Sequence, residues 1–504
     1  MNNLIISDRL DEVSESFCMA KWNMVSLHLT NGKTHSCYHN PTHNIPLEGL
    51  ENNPGLLHNT ETKIQHRQEM RDGKKPSACS YCWKIEDLGH KSDRHFRADE
   101  WWNATDFEKI KDGGKLIDET ITPAYVEVNF NQACNFKCMY CSPHLSTSWE
   151  DEIKTHGSYD LPGGGKHNDI NALTRLELMP IKVAQKDNPY VQAFWNWWPT
   201  VYPNLKIFRM TGGEPLMDKN TFKVLDYVIE NPNSDLEISI TSNMCPPKQE
   251  LFDKFVKKIQ DIEKIKIWHD PLKVNKHTNN NYYIGTSCKH IMLYVSCDTL
   301  GKQAEYIRTG LDFDRLNENL NVFLDNTNNT TVSMINTFNL FSIPKLRDYL
   351  QWILDLREKY SYENQKKISL EVPDSHGRKH DDIIIPKSKK IWFDMPLLED
   401  PKWFSIKLGA DFNYFTDIME ECILFMQQNK TKGNFTGFEE YEIQNLIRNY
   451  DHMKSYIDPD QKKWYYKSLI GFIEQMDARR ELQFKECFPE LEFFYNQIKA
   501  DNRD

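Results

Sequence analysis

The chain has 504 residues, 39% of them hydrophobic and 27% charged, and a formal net charge of −11. That length accommodates two or three domains with at least one sizeable core, in a composition typical of soluble globular proteins. The acidic balance argues against a nucleic-acid partner held by bulk positive field, and no apolar run reaches the roughly 18 residues of a membrane span.

The N-terminus, MNNLIISDRLDEVSESF, lacks a basic segment followed by an apolar one, so it is a poor signal peptide and a cytoplasmic location is expected. Twelve cysteines are present, and seven of them fall within the first 141 residues. In a reducing compartment such crowding reads as metal ligation rather than disulfides. Between Cys18 and Cys37, Val25, Leu27 and Leu29 alternate up to Asn31-Gly32, which predicts a hairpin with a two-residue turn. A helix is expected over 61–73, ending at Gly73, and Cys79-Ser-Tyr-Cys82 follows as a local chelating pair. By spacing alone, Cys18, Cys37, Cys79 and Cys82 suit either a four-thiolate zinc or a [4Fe–4S] cluster. His35, His39 and His43 read first as surface histidines and second as spare ligands.

From 121 to about 375 the pattern changes. Strand-like runs occur at 125–130, 205–211, 236–241, 291–296, 331–337 and 368–373, alternating with helix-like stretches such as NTFKVLDYVIEN and IPKLRDYLQWILDLREKY. This predicts an α/β fold with βαβ units and a parallel sheet, either open or a partial barrel, with functional residues at the C-terminal strand ends. Residues 143–200 interrupt the rhythm with an LPGGGKH loop and the aromatic block FWNWWP, read first as a packed helix face and second as a pocket lining. Beyond 386 the chain reads as mostly helical and as a packing element.

The functional motifs sit at the predicted strand ends. Cys134, Cys138 and Cys141 follow the first of these strands in the spacing CxxxCxxC. Three thiolates can hold three irons of a cube and leave the fourth open to a small molecule, and zinc is the alternative reading. Thr211-Gly212-Gly213-Glu214-Pro215 ends the next strand: the glycines permit close backbone approach and the carboxylate can accept from an ammonium. Ser242-Asn243 and Ser296-x-Asp298 end two further strands, and Arg308 is placed on the helix after the latter. Asn336 is a weaker candidate near the end of the fifth strand.

The triplet with Tyr140 before its last cysteine, together with GGEP at the following strand end, resembles the radical S-adenosylmethionine (radical SAM) superfamily. That resemblance implies a partial (β/α)6 TIM-like barrel over residues 121–385. It implies a SAM-binding [4Fe–4S] cluster on Cys134, Cys138 and Cys141, and SAM contacts from Tyr140, Gly212, Gly213, Glu214, Ser242, Asn243, Ser296, Asp298 and Arg308. The first 120 residues resemble a short SPASM/Twitch-like module, with Cys18, Cys37, Cys79 and Cys82 on an auxiliary [4Fe–4S] cluster, placed before the core instead of after it. Residues 386–504 form the helical tail. The resemblance further implies a peptide or protein substrate and an external electron donor such as flavodoxin or ferredoxin. A small-molecule substrate (an amino acid, sugar or nucleoside) and a non-catalytic iron–sulfur or zinc protein remain the alternatives. No residue is singled out as the acid, base or hydrogen donor of the substrate chemistry.

Overall fold

The expected hairpin at Val25 and Leu27 forms, but with a four-residue connection, 29–32, where a two-residue turn is expected, in the computed structural model, which describes residues 5–112, 121–162, 165–270, 282–368 and 383–501. Strand Met24–His28 pairs antiparallel with Lys33–His35, Leu27 lying opposite Thr34. Gly32 turns the hairpin at φ +69°, and a Cβ there would lie 2.1 Å from the Tyr190 ring, so both the conformation and the contact require glycine. On its other edge Met24–His28 pairs parallel with Tyr125–Asn129, and that strand pairs parallel with Ile207–Thr211. The cysteine-rich segment and the first core strand thus share one sheet.

By its internal contacts the chain divides into two units. One comprises Met1–Gln132, Met179–Gly212 and Asn233–Ser239, and the other Ala133–Leu178, Gly213–Pro232 and Ile240–Asp504. In the first unit, FWNWWP lies in helix Pro189–Val201, whose N-cap Asn188 also donates to the Leu29 carbonyl at 2.7 Å. Phe194, Trp197 and Trp198 are buried, and Trp198 meets Phe208 edge-on at 4.6 Å between centroids. The aromatic block is therefore a packed helix face. The helix expected over 61–73 forms as Glu61–Arg71, with the Thr60 side chain capping it.

In the second unit, Cys288–Ser296, Thr330–Ile335 and Ile383–Asp394 run parallel, and Tyr362–Ile368 pairs antiparallel at the far side of Ile383–Asp394. Apart from Ile368, the strand expected over 368–373 lies outside the described residues. Strand Ile383–Asp394 is not among the expected strands and runs across position 386, beyond which the chain is expected to be mostly helical. Its period-two burial (Lys389, Ile391 and Phe393 inward) is masked in sequence by three lysines within four positions. Helices Asn413–Gln428, Glu440–Lys454, Pro459–Arg480 and Glu492–Asp501 follow. Glu442 docks the second of them through a buried two-pronged pair with Arg357, at 2.5 and 3.0 Å. The chain is thus α/β with mostly parallel strands. Among the described residues, no helix is long and apolar enough to cross a membrane.

Candidate functional site

The CxxxCxxC loop is tied down at each of its cysteines. The Cys134 carbonyl accepts from Thr147 Oγ1 at 3.1 Å and Ser148 Oγ at 2.8 Å. The Cys138 carbonyl accepts from Trp149 Nε1 at 2.8 Å, and that of Cys141 from Asn168 Nδ2 at 3.0 Å. Helix Thr147–His156 therefore organises the loop. Cys138 is buried and its two neighbours half-buried. Burial pushes the Cys141 thiol up to about 12 and raises Cys134 and Cys138 as well. Ligation requires thiolates, so metal binding here would release protons.

Lys137–Cys138 also forms a two-residue antiparallel bridge with Arg308–Thr309, placing Arg308 opposite Cys138. Arg308 is not on the helix, as its sequence position suggests, but just past the end of helix Gly301–Ile307. Its Nε and Nη2 grip Asp298 at 2.8 and 2.9 Å, while Nη1 lies 3.8 Å from Cys138 Sγ. Asp298 is a fully buried hub. It also accepts from Tyr140 OH at 2.7 Å and the Thr337 amide at 2.8 Å, and Asn336 Nδ2 donates to its carbonyl at 2.8 Å. Since Asp298 takes two of the guanidinium's nitrogens, Nη1 is what Arg308 has left to offer a ligand.

Gly212 sits at φ +125°, and a Cβ there would fall 2.5 Å from Asn129 Oδ1, so this first glycine of GGEP is required by the local backbone. Glu214 is buried and accepts from Ser242 Oγ at 2.8 Å and from the amides of Asn243 at 2.7 Å and Leu216 at 3.0 Å. Asn243 Nδ2 reaches Asn135 Oδ1 at 3.2 Å, connecting this cluster to the cysteine loop. The carboxylate thus holds Ser242 and Asn243 in place. The structure therefore groups Tyr140, Asp298, Arg308 and Cys138 in one cluster, and Glu214, Ser242 and Asn243 in another. Ser296 ends its strand half-buried, and Gly213 is half-buried beside Glu214.

Burial raises Glu214 to about 7 against the pull of its three donors. The folded value lies above the unfolded one of about 4.3, so this group's contribution to stability is fully present below pH ~4 and is lost as pH rises through ~7. The expected loss is about 4 kcal/mol. A Glu214→Gln variant should flatten that stretch of a urea-midpoint-against-pH curve, whereas an unchanged slope would mean that other groups set it.

Several site residues were not legible from sequence. Arg480, in helix Pro459–Arg480, donates to the Lys137 carbonyl at 2.7 Å and Thr309 Oγ1 at 3.0 Å, and pairs with buried Glu152 at 2.9 Å. The tail thus clamps the bridge that carries Cys138 and Arg308. Arg480 lies in no motif, and Asn135 occupies a variable position of CxxxCxxC, so the spacing pointed to neither.

In the first unit, Cys18, Cys37, Cys79 and Cys82 all line one cavity, with Lys21, Asn40 and Trp83 beside them. Asn40 bridges two of the thiols, accepting from Cys37 Sγ at 3.1 Å and lying 3.8 Å from Cys79 Sγ. Burial pushes all four thiols up. His35 corrects the surface reading of the histidines: it is buried, with Nε2 3.1 Å from His28 Nε2 and Nδ1 2.7 Å from the Cys37 carbonyl. His43 is half-buried against Thr60 Oγ1, and His39 stacks on Tyr81.

Over 141 residues the chain is 26% identical to GTP 3′,8-cyclase of Campylobacter lari, a match covering 28% of this chain and 31% of that protein. The chain spans about a third of the length of this curated relative. No family model matches. One crystal structure of Streptococcus suis SuiB and another of SuiB bound to S-adenosylmethionine align over 90% of this chain and over 78% and 94% of theirs. They do so at 12% and 13% identity and TM-scores of 0.30 and 0.27.

The residues fit the groups that the superfamily implies. A pinned loop presents three thiols beside a buried arginine, and Asn336 Oδ1 is a buried acceptor with no donor among the described residues, available to a ligand. Four thiols around one cavity suit a second cluster. Among the described residues, no three His, Cys, Asp or Glu side chains come together as a metal ion requires.

Proposed function

We propose that the chain is a radical SAM enzyme that modifies a peptide or protein side chain. The observation that carries this reading is the CxxxCxxC loop, fixed at every cysteine and bridged to Arg308, with GGEP at the end of the next core strand. When bound, a [4Fe–4S] cluster on Cys134, Cys138 and Cys141 supplies the electron that cleaves SAM to methionine and a 5′-deoxyadenosyl radical.

The chain's own groups bind, orient and exclude water. The strained turn at Gly212, with Gly213 beside it, leaves backbone open for the SAM amino group. Glu214 sets Ser242 and Asn243, and Arg308 Nη1 offers one donor to the methionine carboxylate. Tyr140 supplies a ring for adenine, and Ser296 and Asp298 stand at the strand end that would face the ribose. In this reading residues 1–120 are a Twitch-like module whose Cys18, Cys37, Cys79 and Cys82 hold an auxiliary [4Fe–4S] cluster. Residues 121–385 are a partial-barrel core, and residues 386–504 brace it through Arg480. Flavodoxin or ferredoxin would deliver electrons.

The name of the matched relative specifies a nucleotide, which favours a small-molecule substrate as the second reading. Anaerobic reconstitution with iron, sulfide, dithionite and SAM should yield 5′-deoxyadenosine. None from a verified, cluster-loaded sample would remove the enzymatic reading and leave the iron–sulfur binding protein.

A further inference from the structure

The inward face of helix Glu61–Arg71 carries cations where an amphipathic helix ordinarily buries apolar side chains. Lys63 and Arg67 are wholly buried, and Lys21 is 3% exposed. Lys63 Nζ donates to the Met24 carbonyl at 2.7 Å and to His58 Nδ1 at 2.8 Å, and burial keeps that imidazole neutral. Burial, and after it the charges of Arg67 and Lys21, push the Lys63 ammonium well below its ordinary range, and Cys37 favours it; among the described residues no carboxylate bears on it. Lys21 reaches His66 Nδ1 at 3.1 Å and lines the four-thiol cavity with Cys79.

A buried ammonium without a counter-anion is strongly unfavourable, and one set beside an anion is not. Among the described residues, the group that favours the Lys63 ammonium is Cys37, which lines the cavity of four thiols together with Lys21. Four thiolates and four sulfides outweigh the charge of four irons, so a cube held there is anionic, and each reduction adds one electron and one further negative charge.

This inference rests on the auxiliary-cluster reading above. We propose that Lys63 and Lys21 are the built-in counter-charge of an anionic iron–sulfur cluster on Cys18, Cys37, Cys79 and Cys82, and that they favour its reduced state, making it an electron acceptor. Both lysines act as positioning charges and neither ligates iron.

The test uses the full chain carrying Cys134→Ala, Cys138→Ala and Cys141→Ala, in which only the four-thiol site remains for iron. About four irons and four sulfides per chain uphold the underlying reading. One zinc or no iron ends that reading, and the metal content alone distinguishes this from failure of the charge argument. With the cluster in place, dithionite titration followed by electron paramagnetic resonance gives its midpoint. In Lys63→Met the midpoint should fall by at least a tenfold loss in preference for the reduced state, about 59 mV for one electron. Lys63→Arg should stay near the parent. A Lys63→Met midpoint equal to the parent's overturns the proposal. If Lys63→Met loses its cluster, retention by Lys63→Arg supports the role of charge, and loss in both overturns it.

Discussion

Replacing Cys138 by alanine is expected to abolish 5′-deoxyadenosine formation and to lower bound iron from about eight to about four per chain. The reasoning starts from the loop. Cys138 is the middle ligand and the most buried of the three, and its backbone forms the bridge to Arg308. Removing the thiol leaves two candidate ligands where three are needed, but the Trp149 bond to the Cys138 carbonyl does not involve the side chain and should survive. The loss is therefore one of chemistry and not of fold. Iron analysis, together with an unchanged circular dichroism spectrum, checks this. Iron that stays at the parent level in Cys138→Ala would place the cluster elsewhere, and iron that falls to zero would mean that the four-thiol site holds none.

The second large effect is expected at Arg308. Arg308→Met leaves Asp298, which is 0% exposed, with two of its four donors gone. Breaking a buried pair from one side costs about 3–5 kcal/mol, because the remaining charge is stranded. Asp298→Asn should be costly for the converse reason. The double variant, Asp298→Asn with Arg308→Met, strands no charge and should recover part of the loss, which a double-mutant cycle in urea would reveal. Losses that simply add would mean that the pair is not coupled. Arg308→Met should also weaken binding of SAM more than Asp298→Asn does, since it alone removes Nη1.

Both predictions concern groups whose importance was legible to different degrees. The cysteine spacings, GGEP, the hairpin and the strand positions at 125–130, 205–211 and 291–296 are local patterns, and the chain forms the hairpin and these strands close to where they are read, though the hairpin turn is four residues and not two. Arg308 was picked out, but placed on the helix rather than in the bridge beyond it. The strand Ile383–Asp394 was missed because lysines occupy its middle. His35 was read as a surface residue, yet it is enclosed by the hairpin it belongs to and by His28.

The order of residues along the chain was enough to establish which side chains are available for metal chemistry and how they are grouped, because thiol spacing and two-fold or 3.6-fold periodicity are properties of neighbouring residues. Tertiary structure decided what those groups face. Tyr140 and Asp298 meet across 158 positions, and Arg480 and Glu152 across 328. Whether Lys63 points at water or into a core beside four thiols likewise depends on which surface its helix packs against. Such contacts are selected by the burial energy of whole elements, and no short stretch of residues encodes them.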